Sequence, residues 1–236
     1  MNAITKPELL IFIRHAESER NLAKKSATYF ADDDARRTVR GIPDYKIALT
    51  ELGHRQALIT GLAVRERYGV PDYIYHSDYA RTRETLEGIV QAYNAEERSM
   101  IQIRTSHFIR ERNPGYTYDM TKKEAEKNFP YLADHWKTFG GFQGQPPGGQ
   151  SLADKALECY LFLGMIFRKR AGQTVFVVTH GGPLRCFRFL LEHWDYERAI
   201  AWPPGQEPKN CGVTAYRSDD SGQHLQLEAY NQVFWK

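Results

Sequence analysis

Short unbroken apolar runs alternate with longer mixed stretches along this chain. Leu9-Leu10-Ile11-Phe12-Ile13 is long enough for a buried parallel strand and too short for a helix. Val175-Phe176-Val177-Val178 has the same character. Followed from end to end, the pattern predicts strand 8–14, helix about 50–68, strand 72–76, helix about 79–94 and strand about 101–109. Helical pieces near 121–137 come next, then a long helix at about 151–170, strand 174–179, helix about 182–192 and late strands near 211–217 and 224–230. Punctuation agrees: Thr50 before Glu51-Leu52-Gly53 and Ser151 three residues before Asp154 read as helix starts, and Pro71 and Pro203-Pro204 break the helices before them. Strands alternating with helices predict an α/β three-layer sandwich, a mainly parallel sheet with helices on both faces. A single domain over 1–236 is expected. The polar stretch at about 22–48 and the Gly/Pro-rich stretch at about 138–150 are too long for tight connections and are expected to form substrate-facing walls.

The chemistry gathers where the apolar runs stop. The first ends in Arg14-His15 and the second in Thr179-His180-Gly181-Gly182. C-terminal strand ends are where open α/β sheets collect ligands. Two strand ends that each deliver a histidine suggest one site with two imidazoles, and the neighbouring arginines suggest that it takes a phosphate. A neutral imidazole attacks phosphorus through one ring nitrogen when the other N–H is held by a fixed acceptor. Arg14 disfavours a second positive charge on His15 and can grip phosphate oxygens. Asn21, six residues after His15, offers amide donors without charge. Ser18 reads equally as a phosphate donor or an N-cap. Arg81, opening the helix after strand 72–76, carries a fork suited to two phosphate oxygens. Arg83 points to another helix face. Gly181-Gly182 lets backbone approach an anion at the positive end of a helix. Something must protonate the leaving oxygen, and Glu17 and Glu111 are the carboxyl candidates.

Taken in order, Arg14-His15 with Asn21, then Ser77-Asp78-Tyr79-Ala80-Arg81-Thr82-Arg83-Glu84-Thr85, then Glu111, then Thr179-His180-Gly181-Gly182, resemble the histidine phosphatase superfamily, the phosphoglycerate mutase-like enzymes. The resemblance runs from about Leu10 to the last strands. It implies that His15 is phosphorylated and that Arg14, Asn21, Arg81 and His180 ring the phosphoryl group, with Ser18 and Gly181 beside them. It also implies that Glu111, in a Glu-x-x-x-Gly pattern ending at Gly115, is the general acid. Ala16 stands where glycine is common, and Asp78 where proline is often seen. Mutases of the family continue after the asparagine with an Asn/Phe/Thr-Gly-Trp stretch that Leu22 to Ile42 lacks, which favours a phosphatase that hydrolyses phosphomonoesters. The alternatives are mutase-type transfer and a non-catalytic binding module of the same fold.

Composition narrows the partners. A formal net charge of +3 over 236 residues argues against a broad nucleic-acid footprint and leaves room for a local anion site. No apolar run is long enough to span a bilayer, and the first residues lack a signal-peptide core. Three scattered cysteines, Cys159, Cys186 and Cys211, fit reduced thiols in a cytoplasm-like compartment. A cage of arginines calls for no metal and no cofactor, and the other six histidines form no pair at metal-ligand spacing. The expected partner is a phosphorylated small molecule, its identity and the oligomeric state left open. Arg36, Arg37 and Arg40 beside Asp32-Asp33-Asp34 read as a solvated face, with a grip on a second anionic group as the sharper alternative. The aromatics Tyr29, Phe30, Tyr116, Tyr118, Phe139 and Phe142 are expected to be mostly packing residues.

Overall fold

The computed structural model describes residues 5–25, 27–202 and 205–235. Six strands form one sheet: β1 (Leu9–Arg14), β2 (Tyr73–His76), β3 (Gln102–Thr105), β4 (Thr174–Thr179), β5 (Val213–Ser218) and β6 (Leu225–Gln232). Their order is β3-β2-β4-β1-β5-β6. The first four are mutually parallel; β5 pairs antiparallel with β1, and β6 pairs antiparallel with β5. The helices are α1 (Glu19–Lys24), α2 (Asp33–Arg36), α3 (Glu51–Tyr68), α4 (Ala80–Gln91), α5 (Ala95–Met100), α6 (Lys122–Asn128), α7 (Leu132–Gln143), α8 (Leu152–Lys169), α9 (Gly181–Leu191) and α10 (Tyr196–Ile200). None of the described helices is long and apolar enough to cross a membrane.

Strand periodicity divides the core. Leu10 and Phe12 of β1, with Val175 and Val177 of β4, face Phe162 of α8 and Phe187 of α9. Leu9, Ile11 and Ile13, with Phe176 and Val178, face the opposite layer, where Val64, Leu86 and Ile89 come from α3 and α4. A strand buried on both faces has no polar position to spare, which is why β1 and β4 read as continuous apolar runs. On one side, Phe12 stacks on Phe187 at 4.4 Å between ring centroids. On the other, α3 and α4 approach closely. A Cβ on Gly61 would lie 2.7 Å from Ile89 Cα, and one on Gly88 would lie 2.6 Å from Ala57 Cβ.

The three-layer α/β expectation is met, and the caps at Thr50 and Ser151 form, the latter as a full capping box with Asp154. Other expectations need correction. The strand expected at about 101–109 ends at Thr105, and His107–Ile109 turn as a 3₁₀ helix. The stretch from 138 is not an open loop at first, because α7 continues to Gln143 across a break at Gly140, φ 73°. Arg36 is neither solvated nor turned to the site. It is buried, with Nη1 and Nη2 donating to the Glu124 carboxylate at 2.8 and 2.9 Å and Nε donating to Asp33 at 2.7 Å. Arg37 and Arg40 stay exposed beside Asp34 and Asp33. Phe30 and Phe142 are core residues, Tyr116 and Phe139 are exposed, and Tyr118 alone of the six lines the principal cleft.

Candidate active site

Register explains why two histidines meet. In the parallel pair β1–β4, Arg14 is opposite Thr179, so the next residues, His15 and His180, leave the sheet side by side. The His15 N–H donates to the Thr179 carbonyl at 2.8 Å, and the two rings meet edge-on with centroids 5.1 Å apart. Both rings are buried.

The ring of His15 is fixed by its Nδ1, which lies 2.7 Å from the Ala16 carbonyl oxygen. A carbonyl only accepts, so Nδ1 carries the proton and Nε2 keeps its lone pair. Burial, then the charges of Arg81 and Arg14, hold the imidazole well below the usual histidine range, so it is neutral at pH 7. The backbone after it is pinned twice. The Ala16 N–H donates to Thr85 Oγ1 at 2.9 Å, and Asn210 Nδ2 donates to the His15 carbonyl at 3.0 Å. Asn210 is held in turn, since its carbonyl accepts the indole N–H of Trp235 at 2.8 Å.

Ser18 caps α1. Its hydroxyl accepts the Asn21 N–H and donates to Asn21 Oδ1 at 3.0 Å, so the side chain caps α1 while Ser18 also lines the cleft. Asn21 Oδ1 also accepts from Asn210 Nδ2 at 3.1 Å. With its oxygen committed, the Asn21 amide presents its NH₂ to the cleft that it lines. Arg14 lines the same cleft. One Nη donates to the Pro208 carbonyl, and Nε is buried without a partner.

Arg81 is buried at the start of α4, and its whole fork is occupied. Nη1 donates to the Asp44 backbone oxygen at 2.8 Å and to Oδ1 at 3.0 Å, Nη2 reaches Oδ2 at 3.3 Å, and Nε donates to His180 Nδ1 at 3.3 Å. Because His180 Nδ1 accepts, its Nε2 carries the proton and donates to Ser77 Oγ at 2.6 Å. Ser77 continues the relay to Thr82 Oγ1 at 3.0 Å, which donates to the Tyr79 carbonyl at 2.9 Å. Both nitrogens of His180 are thus engaged within the protein, and burial first, then Arg81, holds this ring neutral as well. Asp78 sits at φ 68°, where proline cannot follow, so the departure from the family's proline marks a different local turn.

Glu111 approaches from the turn after His107–Ile109. Its Oε1 accepts the N–H of Arg112 at 2.8 Å and of Gly182 at 3.0 Å. A side chain on Gly182 would collide with that oxygen, so glycine at this position admits a carboxylate to the start of α9. Glu17, the competing acid, accepts from the Thr50 hydroxyl at 2.8 Å. Residues Arg14, His15, Asn21, Arg81, Glu111 and Gly181 all line one cleft of about 670 Å³, with His180 behind it. Lys24, Lys25, Ala27, Thr28 and Asp44 give the 22–48 stretch its share of the wall. From the later stretch only Gln150 reaches an adjoining hollow.

Sequence reading alone did not single out Asp44, Asn210, Arg20, Arg112 or Arg185, all of which line this cleft. Arg112 adjoins Glu111, Arg20 adjoins Asn21 and Arg185 falls in the expected 182–192 helix, so each had a neighbouring signal, whereas Asp44 and Asn210 lie in segments with no period.

The profile of the histidine phosphatase superfamily (branch 1) matches residues 10–231. A 2,3-bisphosphoglycerate-dependent phosphoglycerate mutase from Methylobacterium radiotolerans is 31% identical over 189 residues, covering 78% of this chain and 79% of the mutase. Among solved structures, a mycobacterial glucosyl-3-phosphoglycerate phosphatase in complex with inorganic phosphate superposes with a TM-score of 0.71 at 19% identity, covering 97% of this chain and 99% of that one. A phosphoserine phosphatase from Entamoeba histolytica in complex with 3-phosphoglyceric acid gives 0.69 at 21% identity, covering 96% and 98%. At these identities the structural matches speak to fold.

Proposed function

The chain belongs to the histidine phosphatase superfamily, and from that premise we propose that it hydrolyses phosphomonoesters through a phosphohistidine on His15. The observation that carries the reading is the fixed tautomer of a neutral, buried His15 at the floor of a cleft lined by Arg14, Asn21 and Arg81. In the first step the Nε2 lone pair forms a bond to phosphorus, the bond from phosphorus to the ester oxygen breaks, and Glu111 gives its proton to the departing oxygen. In the second, water attacks the phosphohistidine, the Glu111 carboxylate takes the water proton, and the phosphorus–nitrogen bond breaks to release phosphate and neutral His15. Arg14 and the Asn21 NH₂ stabilise the equatorial oxygens directly, and Arg81 joins them once its fork turns from Asp44. His180 acts by holding Arg81 and abutting the His15 ring. With this much positive charge supplied by side chains, the rate is expected to be indifferent to chelators.

Mutase-type transfer is the second reading, favoured by the curated relatives, which are phosphoglycerate mutases. Against it stands the segment after Asn21, which lacks the family's mutase stretch. Supplying 3-phosphoglycerate with 2,3-bisphosphoglycerate and following both products decides the matter. Hydrolysis predicts phosphate release from a panel of phosphomonoesters and little 2-phosphoglycerate, whereas isomerisation outrunning phosphate release reverses the order. In either case His15→Ala should lower turnover by roughly three orders of magnitude or more and abolish acid-labile labelling of the protein by ³²P substrate. Near-normal turnover in that variant rejects the covalent mechanism.

A further inference from the structure

One end of the cleft holds two cations that the phosphoryl chemistry does not use. Arg20 and Lys24 lie one turn apart on α1 and both line the cleft. The Arg20 guanidinium lies 3.5 Å from the centre of the Tyr118 ring and 5.1 Å from that of Phe30. One of its terminal nitrogens donates to the Tyr118 carbonyl, while Nη1 is buried with no partner at all. Lys24 Nζ lies 5.0 Å from the same Phe30 ring and donates to the Thr28 carbonyl. Among the described residues neither cation has a carboxylate within ion-pair distance. The acids whose charge reaches them are Asp44, committed to Arg81, and Asp119, whose Oδ1 is buried without a hydrogen-bond partner and which lies beyond ion-pair distance of both.

Away from this cleft several half-buried cations are neutralised: Arg36, Lys155 and Arg188 each have a carboxylate partner, as does Arg81 within it. Arg14 and Arg185, which line the cleft, also have no carboxylate partner among the described residues. Two like charges one turn apart on a six-residue helix oppose its formation, and burial followed by Arg20 pushes the Lys24 ammonium down to about 8. An arrangement that is unfavourable alone and fronts a cavity is relieved by an anion. The stacked arginine is also pre-oriented, so little freedom is lost when it binds one.

We propose that Arg20 and Lys24 form a second anion subsite, so that the substrate is a phosphomonoester carrying a further anionic group. The inference rests on the phosphoryl-transfer reading for its first anion. It commits to the cleft wall made by α1 and Tyr118 for the second.

Calorimetric titration of the intact protein with non-hydrolysable probes tests it: propylphosphonate, 3-phosphonopropionate and propylene-bridged diphosphonate, with longer homologues of each. The expected result is that an anionic tail of suitable length tightens binding by about tenfold or more over the neutral tail. The carboxylate and phosphonate arms tell which group fits. Arg20→Gln and, separately, Lys24→Gln, each checked for folding by its thermal transition, should bring that ratio close to one. Equal affinity for neutral and anionic tails in the wild type, no binding of any probe, or an unchanged ratio in both variants overturns the subsite. Absence of ³²P labelling at His15 with the tail preference intact would instead fault the reaction and leave the subsite standing.

Discussion

The proton on His15 Nδ1, given to a main-chain oxygen, decides which nitrogen is left for chemistry. Sequence exposed the residue and its neighbours clearly, since an apolar run ending in Arg-His is a pattern visible in one dimension. It could not expose Asp44, because a carboxylate facing Arg81 across 37 positions leaves no periodic mark. Nor could it show that the Ser18 hydroxyl caps α1 through Asn21, since that pairing depends on where the helix starts. Asp44 deserves a test at this scale. Its carboxylate occupies the fork that a phosphate would use, so an arriving phosphate competes with it. Asp44→Asn is expected to tighten inorganic phosphate binding by roughly three- to tenfold, read as the inhibition constant for phosphate release. Weaker phosphate binding in that variant would mean that Asp44 orients Arg81 for the ligand.

At the level of elements, strand ends and helix starts were legible because they are dictated locally. β1, β4, α3 and α8 fall within a residue or two of expectation, each marked by an apolar run or a cap. Helix α5 has no counterpart in the expected pattern although Asn94 and Glu97 spell its capping box, because the segment is short and buries no residue that would give it a period. The antiparallel pairing of β5 with β1 is made across some two hundred positions and had no local signal. The tight crossing of α3 and α4 is likewise invisible in either helix alone. Gly61→Ala gains helix propensity, yet its methyl group would press on the Ile89 backbone, which cannot yield as a side-chain tip can. A net loss of about 1–3 kcal/mol is expected from denaturant titration. A stabilised Gly61→Ala protein would show that the two helices separate freely.

For the molecule as a whole, two neutral imidazoles are buried where the unfolded chain would protonate them. Burial lowers both His15 and His180 well below 6.5, so unfolding takes up protons once the pH drops under that value. Their contribution is therefore intact above about pH 6.5 and declines as the solution is acidified toward the lowered native values. The limiting slope is about 1.4 kcal/mol per pH unit for each ring. Acids held low by partners, such as Glu124 at about 2, act in a separate window beneath the ordinary carboxylate range. Denaturation midpoints between pH 7 and pH 5.5 should fall accordingly, and His15→Asn should flatten the decline. A midpoint independent of pH across that interval would mean that the rings accept protons in the native state.

Trp235 is tied through the Asn210 carbonyl to the side chain that also touches His15 and Asn21. An indole whose N–H partner is shared with the nucleophile's own backbone is an internal optical probe. Its emission should report occupancy of the cleft in real time, with no label attached and without waiting for turnover.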